Sequence, residues 1–276
     1  MAGALVLTGV VGMLDGRYPP SLAAEWDAVG LVCGDPDMSV ARVLFAVDAD
    51  MAVVDEALLL QADLVVTHHP LLLRGVHSVA ATDYKGRVLH TLITHGIALY
   101  TAHTNADHAR PGVSDALAVT LGITVTGPLV PEPGDPEVGT GRVGVLPASV
   151  TLADFAQQVA TALPATAAGL RVAGDPHSLV RTVAVCGGSG DDLLEVASAV
   201  ADVYVTSDLR HHPGQEHRAR GGCTLIDVPH WAGEWPWLPV AARNLEADVQ
   251  ASGSTVETYV SGIVTDPWTT HLGSIR

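Results

Sequence analysis

A six-residue pattern that occurs twice is the strongest constraint on how this chain folds. The segment A-D-L-V-V-T at 62–67 returns as A-D-V-Y-V-T at 201–206, and each copy follows a predicted strand and a predicted helix. The next strands also correspond, because G-I-A-L-Y-T-A-H at 96–103 is similar to G-C-T-L-I-D-V-P-H at 222–230. Alternating strands and helices predict parallel strand pairs. The sequence therefore predicts an α/β fold in which one unit occurs twice.

The division of the chain is predicted from a Pro/Gly-rich acidic stretch at 127–142, which is typical of a linker. We therefore predict a first half at 1–127 and a second half at 128–276, with the C-terminal strand free to return to the first half. A loop near a site is predicted at 25–36. The predicted helices lie at 4–15, 49–61, 83–94, 112–121, from about 151, at 191–200 and at 238–249. The predicted strands lie at 42–48, 62–67, 96–102, 143–146, 170–173, 182–185, 202–206, 223–228 and 255–261.

Two adjacent histidines, His68 and His69, end the first copy of the repeated strand, and Pro70 stops that strand. Ligands bind at the carboxyl edge of open α/β sheets, and neighbouring side chains project to opposite sides of the backbone. Two metal ions could each take one imidazole. The alternative is a polar strand end, or a histidine pair that caps a helix or lies on the surface.

Each half also places a carboxylate four residues after a histidine, in H-T-N-A-D (His103, Asp107) and H-W-A-G-E (His230, Glu234). If the halves pack with a pseudo-twofold relation, three imidazoles and two carboxylates could face one cleft. These residues are His68, His69, Asp107, His230 and Glu234. They suit two divalent ions of zinc, iron, manganese or nickel. Ordinary helix-face polar pairs are the alternative. His103 is either a sixth ligand or a group that orients Asp107 or handles protons.

Three further residues are candidates for substrate contact. Arg74 and Arg210 could hold an anionic substrate, and His212 belongs to a second histidine pair after Arg210. Solvated surface side chains are the alternative for all three. The segment C-G-G-S-G at 186–190 lacks the established phosphate-loop patterns, so a tight turn is the better interpretation.

Charge and composition exclude several classes of protein. Lys and Arg total 14 against 30 Asp and Glu, and the net charge of -16 argues against binding to nucleic acid or anionic lipid. The three cysteines form no C-x-x-C pair. We expect neither a signal peptide nor a membrane span, because the first residues lack a basic segment and no apolar run is long enough. A cytoplasmic protein is therefore expected.

Seven segments together are similar to the GTP cyclohydrolase 1 type 2 family, also called Ngg-interacting-factor-three-like or dinuclear metal centre hexameric proteins. They are E-W-D-A-V-G-L-V-C-G-D-P, V-T-H-H-P-L-L, A-H-T-N-A-D, C-G-G-S-G, T-S-D-L-R-H-H, D-V-P-H-W-A-G-E and T-D-P-W. The resemblance implies two interlinked α/β halves with mixed sheets covered by helices. It also implies a toroidal homohexamer, a trimer of dimers, with two metal ions per chain on the five ligands given above. This sequence departs from the family at T-S-D, where T-G-E is usual, and at E-W-D-A, where Asn usually follows the Asp.

Two functions are expected from these observations. The first is a metal-dependent hydrolase that acts on a nucleotide or another phosphate-bearing small molecule. The second is a non-catalytic metal-binding ring or scaffold protein. Fold and metals do not fix a substrate, so the activity in the family name remains a label.

Overall fold

The computed structural model describes residues 5–273, which form two compact units. The first unit runs to Ala109 and also includes Leu238–Thr265. The second comprises Arg110–Trp237 and the described residues from Asp266 onward. The chain thus leaves the first unit, builds the second and returns, which interlinks the two halves along the sequence. The boundary lies upstream of the predicted one at residue 127.

The elements alternate between helices and strands through most of the chain. The α-helices are α1 (Leu7–Arg17), α2 (Met51–Leu60), α3 (Tyr84–Thr94), α4 (Thr104–His108), α5 (Val113–Thr120), α6 (Leu152–Ala162), α7 (Leu194–Val200), α8 (His211–Ala219), α9 (His230–Glu234) and α10 (Trp237–Ala251). The strands are β1 (Gly30–Cys33), β2 (Arg42–Ala46), β3 (Leu64–Thr67), β4 (Ala98–Thr101), β5 (Thr124–Glu132), β6 (Asp135–Thr151), β7 (Arg171–Ala173), β8 (Leu179–Ser189), β9 (Val203–Ser207), β10 (Thr224–Asp227) and β11 (Glu257–Val260). Short 3-10 helices lie at Pro20–Leu22 and Asp191–Leu193.

The first unit is built on a mixed sheet in the order β1-β4-β3-β2-β11. The strands β11, β2, β3 and β4 run parallel, and β1 is antiparallel to β4. The register pairs Ala46 with Thr67 and Thr67 with Thr101, so three parallel strands end level with one another. Apolar residues of α2 and α3 pack with residues of β2, β3 and β4 in one buried cluster. Every residue of β3 and β4 is buried, which explains their continuous apolar runs.

The second unit is built on a mixed sheet in the order β5-β6-β8-β9-β10-β7. Its central strands β8, β9 and β10 run parallel, and β7 is antiparallel to β10. A buried cluster joins Leu194 and Ala197 of α7 to Ala184 of β8 and Tyr204 of β9. This arrangement again brings the carboxyl ends of parallel strands to one edge of the sheet.

The internal duplication is present in the structure and extends further than the sequence indicated. The order α1-β1-β2-α2-β3-α3-β4-α4 of the first unit recurs in the second as α6-β7-β8-α7-β9-α8-β10-α9. In the first unit the antiparallel strand β1 pairs with β4 at one edge of the sheet, and in the second unit β7 pairs with β10 in the same way. Each repeat ends in a five-residue helix that carries one of the histidine–carboxylate motifs. The predicted α/β class with two mixed sheets is confirmed.

The predicted linker at 127–142 was wrong, because these residues lie in the antiparallel pair β5–β6. Proline lacks a ladder donor and is tolerated on an edge strand, and β5, with Pro128 and Pro131, is the edge of its sheet. Glycine in β6 permits close strand contact, since a Cβ on Gly139 would lie 2.1 Å from the carbonyl oxygen of Val130. A high content of Pro and Gly usually indicates a linker, but in this chain it belongs to a hairpin at the edge of the sheet.

Other predictions differ in detail. The first helix begins at Leu7 rather than at residue 4, which lies outside the described residues. Val10 and Leu14 are buried in this helix, whereas Met13 is only half-buried and Val6 precedes the helix. The predicted loop at 25–36 contains strand β1, and the polar stretch after Asp208 forms α8. None of the helices within residues 5–273 combines the length and apolar character needed to cross a membrane.

Candidate metal centre

The double histidine of the first unit lies just beyond the carboxyl end of β3. Both residues continue the backbone hydrogen bonding between β3 and β2. The amide of His68 donates to the carbonyl of Ala46 at 3.2 Å, and the amide of His69 donates to the carbonyl of Val47 at 2.8 Å. The Thr67 hydroxyl donates to the His69 carbonyl at 3.0 Å. The sheet edge therefore fixes the backbone of both residues, and the placement predicted from the T-H-H-P motif is observed.

The ring of His68 is completely buried and has a defined tautomer. Its Nδ1 lies 2.9 Å from the carbonyl oxygen of Ala102, and since a carbonyl only accepts, Nδ1 carries the proton. The Nε2 atom then has the lone pair when the ring is neutral. It lies 3.7 Å from Oδ1 of Asp107, so the first histidine after β3 and the carboxylate of α4 face each other.

Carboxylates orient His69 and His103, the two histidines whose rings lie closest to that of His68. The Nδ1 of His69 lies 2.8 Å from Oδ1 of Asp48, and the Nδ1 of His103 lies 2.9 Å from Oδ1 of Asp27. Asp27 also accepts hydrogen bonds from the amide and hydroxyl of Thr104. Burial acts to raise the pKa of Asp27, but the bonds from His103 and Thr104 outweigh it and hold that pKa well below its usual value. Asp27 is therefore ionised at neutral pH.

The imidazoles of His68, His69 and His103 converge. The ring centroids of His68 lie 5.0 Å from those of His69 and 5.1 Å from those of His103. One nitrogen from each ring lies within 4.8 Å of the others, a spacing that can hold a metal ion. The first unit therefore contains a histidine group that could bind a metal, with Asp107 beside it.

The second unit carries His230 and Glu234 on the one-turn helix α9. The Nε2 of His230 lies 2.8 Å from Oε1 of Glu234, and its Nδ1 lies 2.7 Å from Oδ2 of Asp208. The charge of Glu234 is the main cause that raises the pKa of His230 to about 11, against burial and with help from Asp208. The same two carboxylates that favour a proton here would favour a metal cation.

A glycine makes room for these two side chains. Gly188 near the end of β8 has a φ of +71°, and a Cβ there would lie 2.5 Å from Oε1 of Glu234 and 3.3 Å from Nε2 of His230. The carbonyl of Gly188 accepts a hydrogen bond from Thr206 at 3.0 Å. The C-G-G-S-G segment thus ends a strand against the predicted ligands, which explains its glycines better than a phosphate cradle.

The two repeats have diverged at the end of their third equivalent strand. Where the first unit has His68 and His69 after A-D-L-V-V-T, the second has Ser207 and Asp208 after A-D-V-Y-V-T. Asp208 adopts a left-handed backbone with φ 58° and accepts from His230. At this position the sequence has T-S-D where the similar family usually has T-G-E. In the structure its carboxylate orients a predicted ligand.

The three predicted substrate residues lie on exposed positions. Arg74 is in the loop after Pro70, and Arg210 is paired with Asp191. Arg210 lines a groove of about 290 Å³, whereas His212 lines a different cavity of about 530 Å³. The structure therefore gives Arg210 and His212 separate surroundings, and their role in substrate contact stays a prediction.

Three carboxylates of the site were missed from the sequence: Asp27, Asp48 and Asp208 each bind the Nδ1 of a candidate ligand or of His103. A signal existed for Asp48, which closely follows the carboxyl end of β2, the strand beside β3. Asp27 lies in the E-W-D-A segment, which was interpreted only as a loop near a site. The pairing of either residue with a particular histidine depends on the tertiary fold.

Two duplicated α/β units whose strand ends present histidines backed by carboxylates define a class of candidate metal-binding proteins. Residues 6–267 match the model of the Duf34/NIF3 (NGG1p interacting factor 3) family, and the chain belongs to this family. The membership confirms the resemblance noted in the sequence.

The similar proteins span nearly the full chain. A GTP cyclohydrolase 1 type 2 homolog of Streptomyces coelicolor is 54% identical over 271 residues, which cover 97% of this chain and 95% of that protein. A homolog of the same name from Mycobacterium tuberculosis is 38% identical over 369 residues and covers 95% and 96%.

Solved structures show the same fold. A Bacillus cereus protein related to NIF3 has a TM-score of 0.91 at 24% identity and covers 98% of this chain and 100% of that one. A Staphylococcus aureus hypothetical protein has a TM-score of 0.86 at 26% identity, with the same coverage.

Proposed function

We propose that this protein is a metal-dependent hydrolase that binds two divalent ions per chain and acts on a nucleotide or another phosphate-bearing small molecule. The ligands would be His68, His69 and Asp107 of the first unit and His230 and Glu234 of the second. The proposal extends the family assignment, which by itself gives no reaction.

One observation carries this proposal. The Nδ1 atom of each of four histidines lies within hydrogen-bond distance of a fixed acceptor, and these histidines are His68, His69, His103 and His230. The acceptors are the carbonyl of Ala102 and the carboxylates of Asp48, Asp27 and Asp208. Histidines that bind metals almost always donate their second ring N–H to such a group, which orients the ring and raises its basicity. Histidines that merely end a strand need no such partner. The donor set of imidazole and carboxylate fits zinc, iron, manganese or nickel.

The remaining residues of the site have assignable tasks. When bound, paired divalent ions supply Lewis acidity that lowers the pKa of water and polarises the bond to be cleaved. Asp27 holds the Nδ1 proton of His103, so that His103 presents Nε2 next to His68 and His69. His103 can therefore accept or deliver a proton at Nε2.

A phosphate-bearing substrate is proposed from the chemistry of the site and the name of the relatives. Divalent ions bind phosphate oxygens, which allows an anionic substrate to approach a chain whose net charge is -16. The curated relatives are named GTP cyclohydrolase 1 type 2 homologs, which favours a nucleotide. The homohexamer implied by the resemblance stays a prediction, which sedimentation of the intact protein would test.

Metal content per chain tests the proposal directly. We expect about two divalent ions per chain in the wild type, a large loss in His68→Ala and Glu234→Ala, and no loss in His90→Ala, which removes an exposed histidine of α3. Thermal unfolding of each variant would show that the fold persists. The loaded protein is then screened for hydrolysis of nucleotides.

The outcomes separate the proposal from its rival. Hydrolysis that needs the metals and is absent in both site variants supports the hydrolase. Stoichiometric metal without any turnover favours the non-catalytic binding role. No uptake of zinc, iron, manganese or nickel contradicts both.

A further inference from the structure

Trp26 is an exposed aromatic residue beside the candidate metal ligands. Its side chain is 62% exposed, although tryptophan is usually well buried. The centroid of its indole lies 5.9 Å from that of the His103 ring, and the ring planes are inclined by 76°. Because the planes are nearly perpendicular, the imidazole does not stack flat on the indole. Most of an apolar aromatic surface is therefore open to solvent next to the histidine group.

The backbone around Trp26 is held in place on both sides. The amide of Ala24 donates to the Thr104 hydroxyl at 2.9 Å, and the amide of Asp27 donates to the carbonyl of Ala24 at 2.9 Å. The carboxylate of Asp27 binds His103 and Thr104. Both anchors lie on or beside α4, the helix that carries Asp107. The position of the indole is thus tied to the same helix as the proposed site.

We propose that Trp26 is a specificity-determining residue that stacks against the planar heteroaromatic base of a mononucleotide substrate. The inference rests on the proposed function, since it takes the substrate's phosphate to lie at the metals. Nucleobases stack on exposed aromatic side chains with little dependence on the base. Aromatic residues make up only 4% of the chain, so one indole suits a single base rather than a nucleic acid strand.

The alternative class of substrate is a phosphate-bearing molecule without a planar ring, such as a sugar phosphate. Such a substrate would gain nothing from an indole at this position. Guanosine 5′-monophosphate and ribose 5-phosphate therefore form a matched pair of probes, because both contain a ribose and a phosphate and only the first has a base. Their relative affinity measures the contribution of the base.

The experiment measures binding of both probes to zinc-loaded protein by calorimetry and by tryptophan fluorescence. We expect the wild type to prefer the nucleotide, and Trp26→Leu to weaken nucleotide binding by about 5- to 150-fold, the range that stacking of one base supplies. Binding of ribose 5-phosphate should stay within about twofold of the wild type, since phosphate contacts are unchanged. Trp26→Phe, which keeps an aromatic ring, should retain part of the preference.

A matched control is available in the same chain. Trp268 is 68% exposed in the C-terminal segment, and Trp268→Leu should leave both affinities and the nucleotide-induced quenching unchanged. The quenching seen in the wild type should disappear in Trp26→Leu.

Several results would overturn the inference. Equal binding of the two probes to the wild type, or equal weakening of both by Trp26→Leu, would show that the indole does not recognise a base. No nucleotide-induced quenching in the wild type, together with a change in sedimentation in Trp26→Leu, would assign the indole to contact with a second copy of the chain. Zinc content, measured in every sample, separates the two proposals. Protein that takes up zinc but binds the nucleotide and ribose 5-phosphate equally contradicts only this inference. Protein that takes up no zinc contradicts the proposed function as well.

Discussion

Oδ1 of Asp27 lies 2.9 Å from Nδ1 of His103, across 76 positions of sequence. The carboxylate is fully buried and also accepts from Thr104 and from the amide of Ala28, so nearly all of its acceptor capacity is used. This bond joins the E-W-D-A segment to the H-T-N-A-D motif, two of the segments that marked the family in the sequence. The short helix α4 is therefore held by a residue far away in the chain.

Replacing Asp27 with Asn should weaken both the fold and metal binding. The Asn side chain keeps one acceptor oxygen but offers donors where Thr104 also donates, so we expect unfolding free energy to fall by about 1–3 kcal/mol. If His103 is a ligand, metal affinity should fall by about 10- to 100-fold, as for other residues that orient a metal-binding histidine. Urea unfolding and chelator competition measure the two effects.

The control for this variant is Asp37→Asn, which changes an exposed carboxylate in the loop before β2. It should leave stability and metal affinity as in the wild type. Unchanged metal affinity in Asp27→Asn, with stability reduced, would assign His103 to proton handling instead of metal binding.

Arg17 of α1 and Asp248 of α10 form a two-pronged ion pair that joins the returning C-terminal segment to the first helix. The hydrogen bonds from Arg17 outweigh the burial of Asp248 and lower its pKa. A carboxyl whose pKa is lowered on folding stabilises the protein above its unfolded pKa of about 4, and the stabilisation is lost as the pH falls through the folded value.

A double-mutant cycle should show this pH dependence. At pH 7 we expect Arg17→Met and Asp248→Asn each to lower the unfolding free energy by about 0.5–1 kcal/mol, a modest value because the pair is partly exposed. The coupling energy should be constant from about pH 7 to pH 5 and should decrease below about pH 4. Urea unfolding over this range measures it, and a coupling that grows towards acid pH would contradict the assignment.

Arg142 of β6 is almost completely buried and forms an ion pair of 2.7 Å with Asp115 of α5. Its guanidinium also donates to the carbonyls of Gly139 and Gly141 at 2.6 and 2.7 Å. Arg142→Met leaves the Asp115 carboxylate buried without its counter-charge, so we expect a loss of about 3–5 kcal/mol of unfolding free energy.

The comparison for Arg142 is Arg220, the exposed residue that follows α8, which pairs with Glu216 at 3.1 Å and with Glu195 at 3.3 Å. Arg220→Met should cost less than about 1 kcal/mol, because exposed pairs contribute little. Denaturant unfolding of both variants checks the contrast. Equal losses would mean that burial does not determine the strength of these pairs.

The parts of the site that the sequence predicted are those encoded by local pattern. His68 and His69 follow an apolar run that has to be a buried strand, and the proline after them defines where it stops. His230 and Glu234 were recognised because H-W-A-G-E stands at the same place in the second repeat as H-T-N-A-D in the first. Such features depend on neighbours within a few residues, and periodicity reports them well.

The features that were missed depend on tertiary contacts. Asp27 and Asp208 become part of the site only because the fold brings them to His103 and His230. The β5–β6 hairpin was mistaken for a linker because a stretch rich in Pro and Gly is typical of a linker, and only the pairing of the two strands identifies it as a hairpin. The amino-acid composition does not show that Gly139 has to approach the backbone of Val130 in the neighbouring strand.

Gly188 offers a test of how tightly the second unit controls its ligands. A methyl group at this position would lie 2.5 Å from Oε1 of Glu234, so Gly188→Ala should displace that carboxylate and lower metal content per chain. The left-handed backbone adds a stability cost of about 1–2 kcal/mol. Gly169→Ala is the matched control, because Gly169 has a φ of +62° and open space around its Cβ position. Both variants should lose similar stability in urea, but only Gly188→Ala should lose metal. Full metal content in Gly188→Ala would show that Glu234 is not a ligand or that it has room to move.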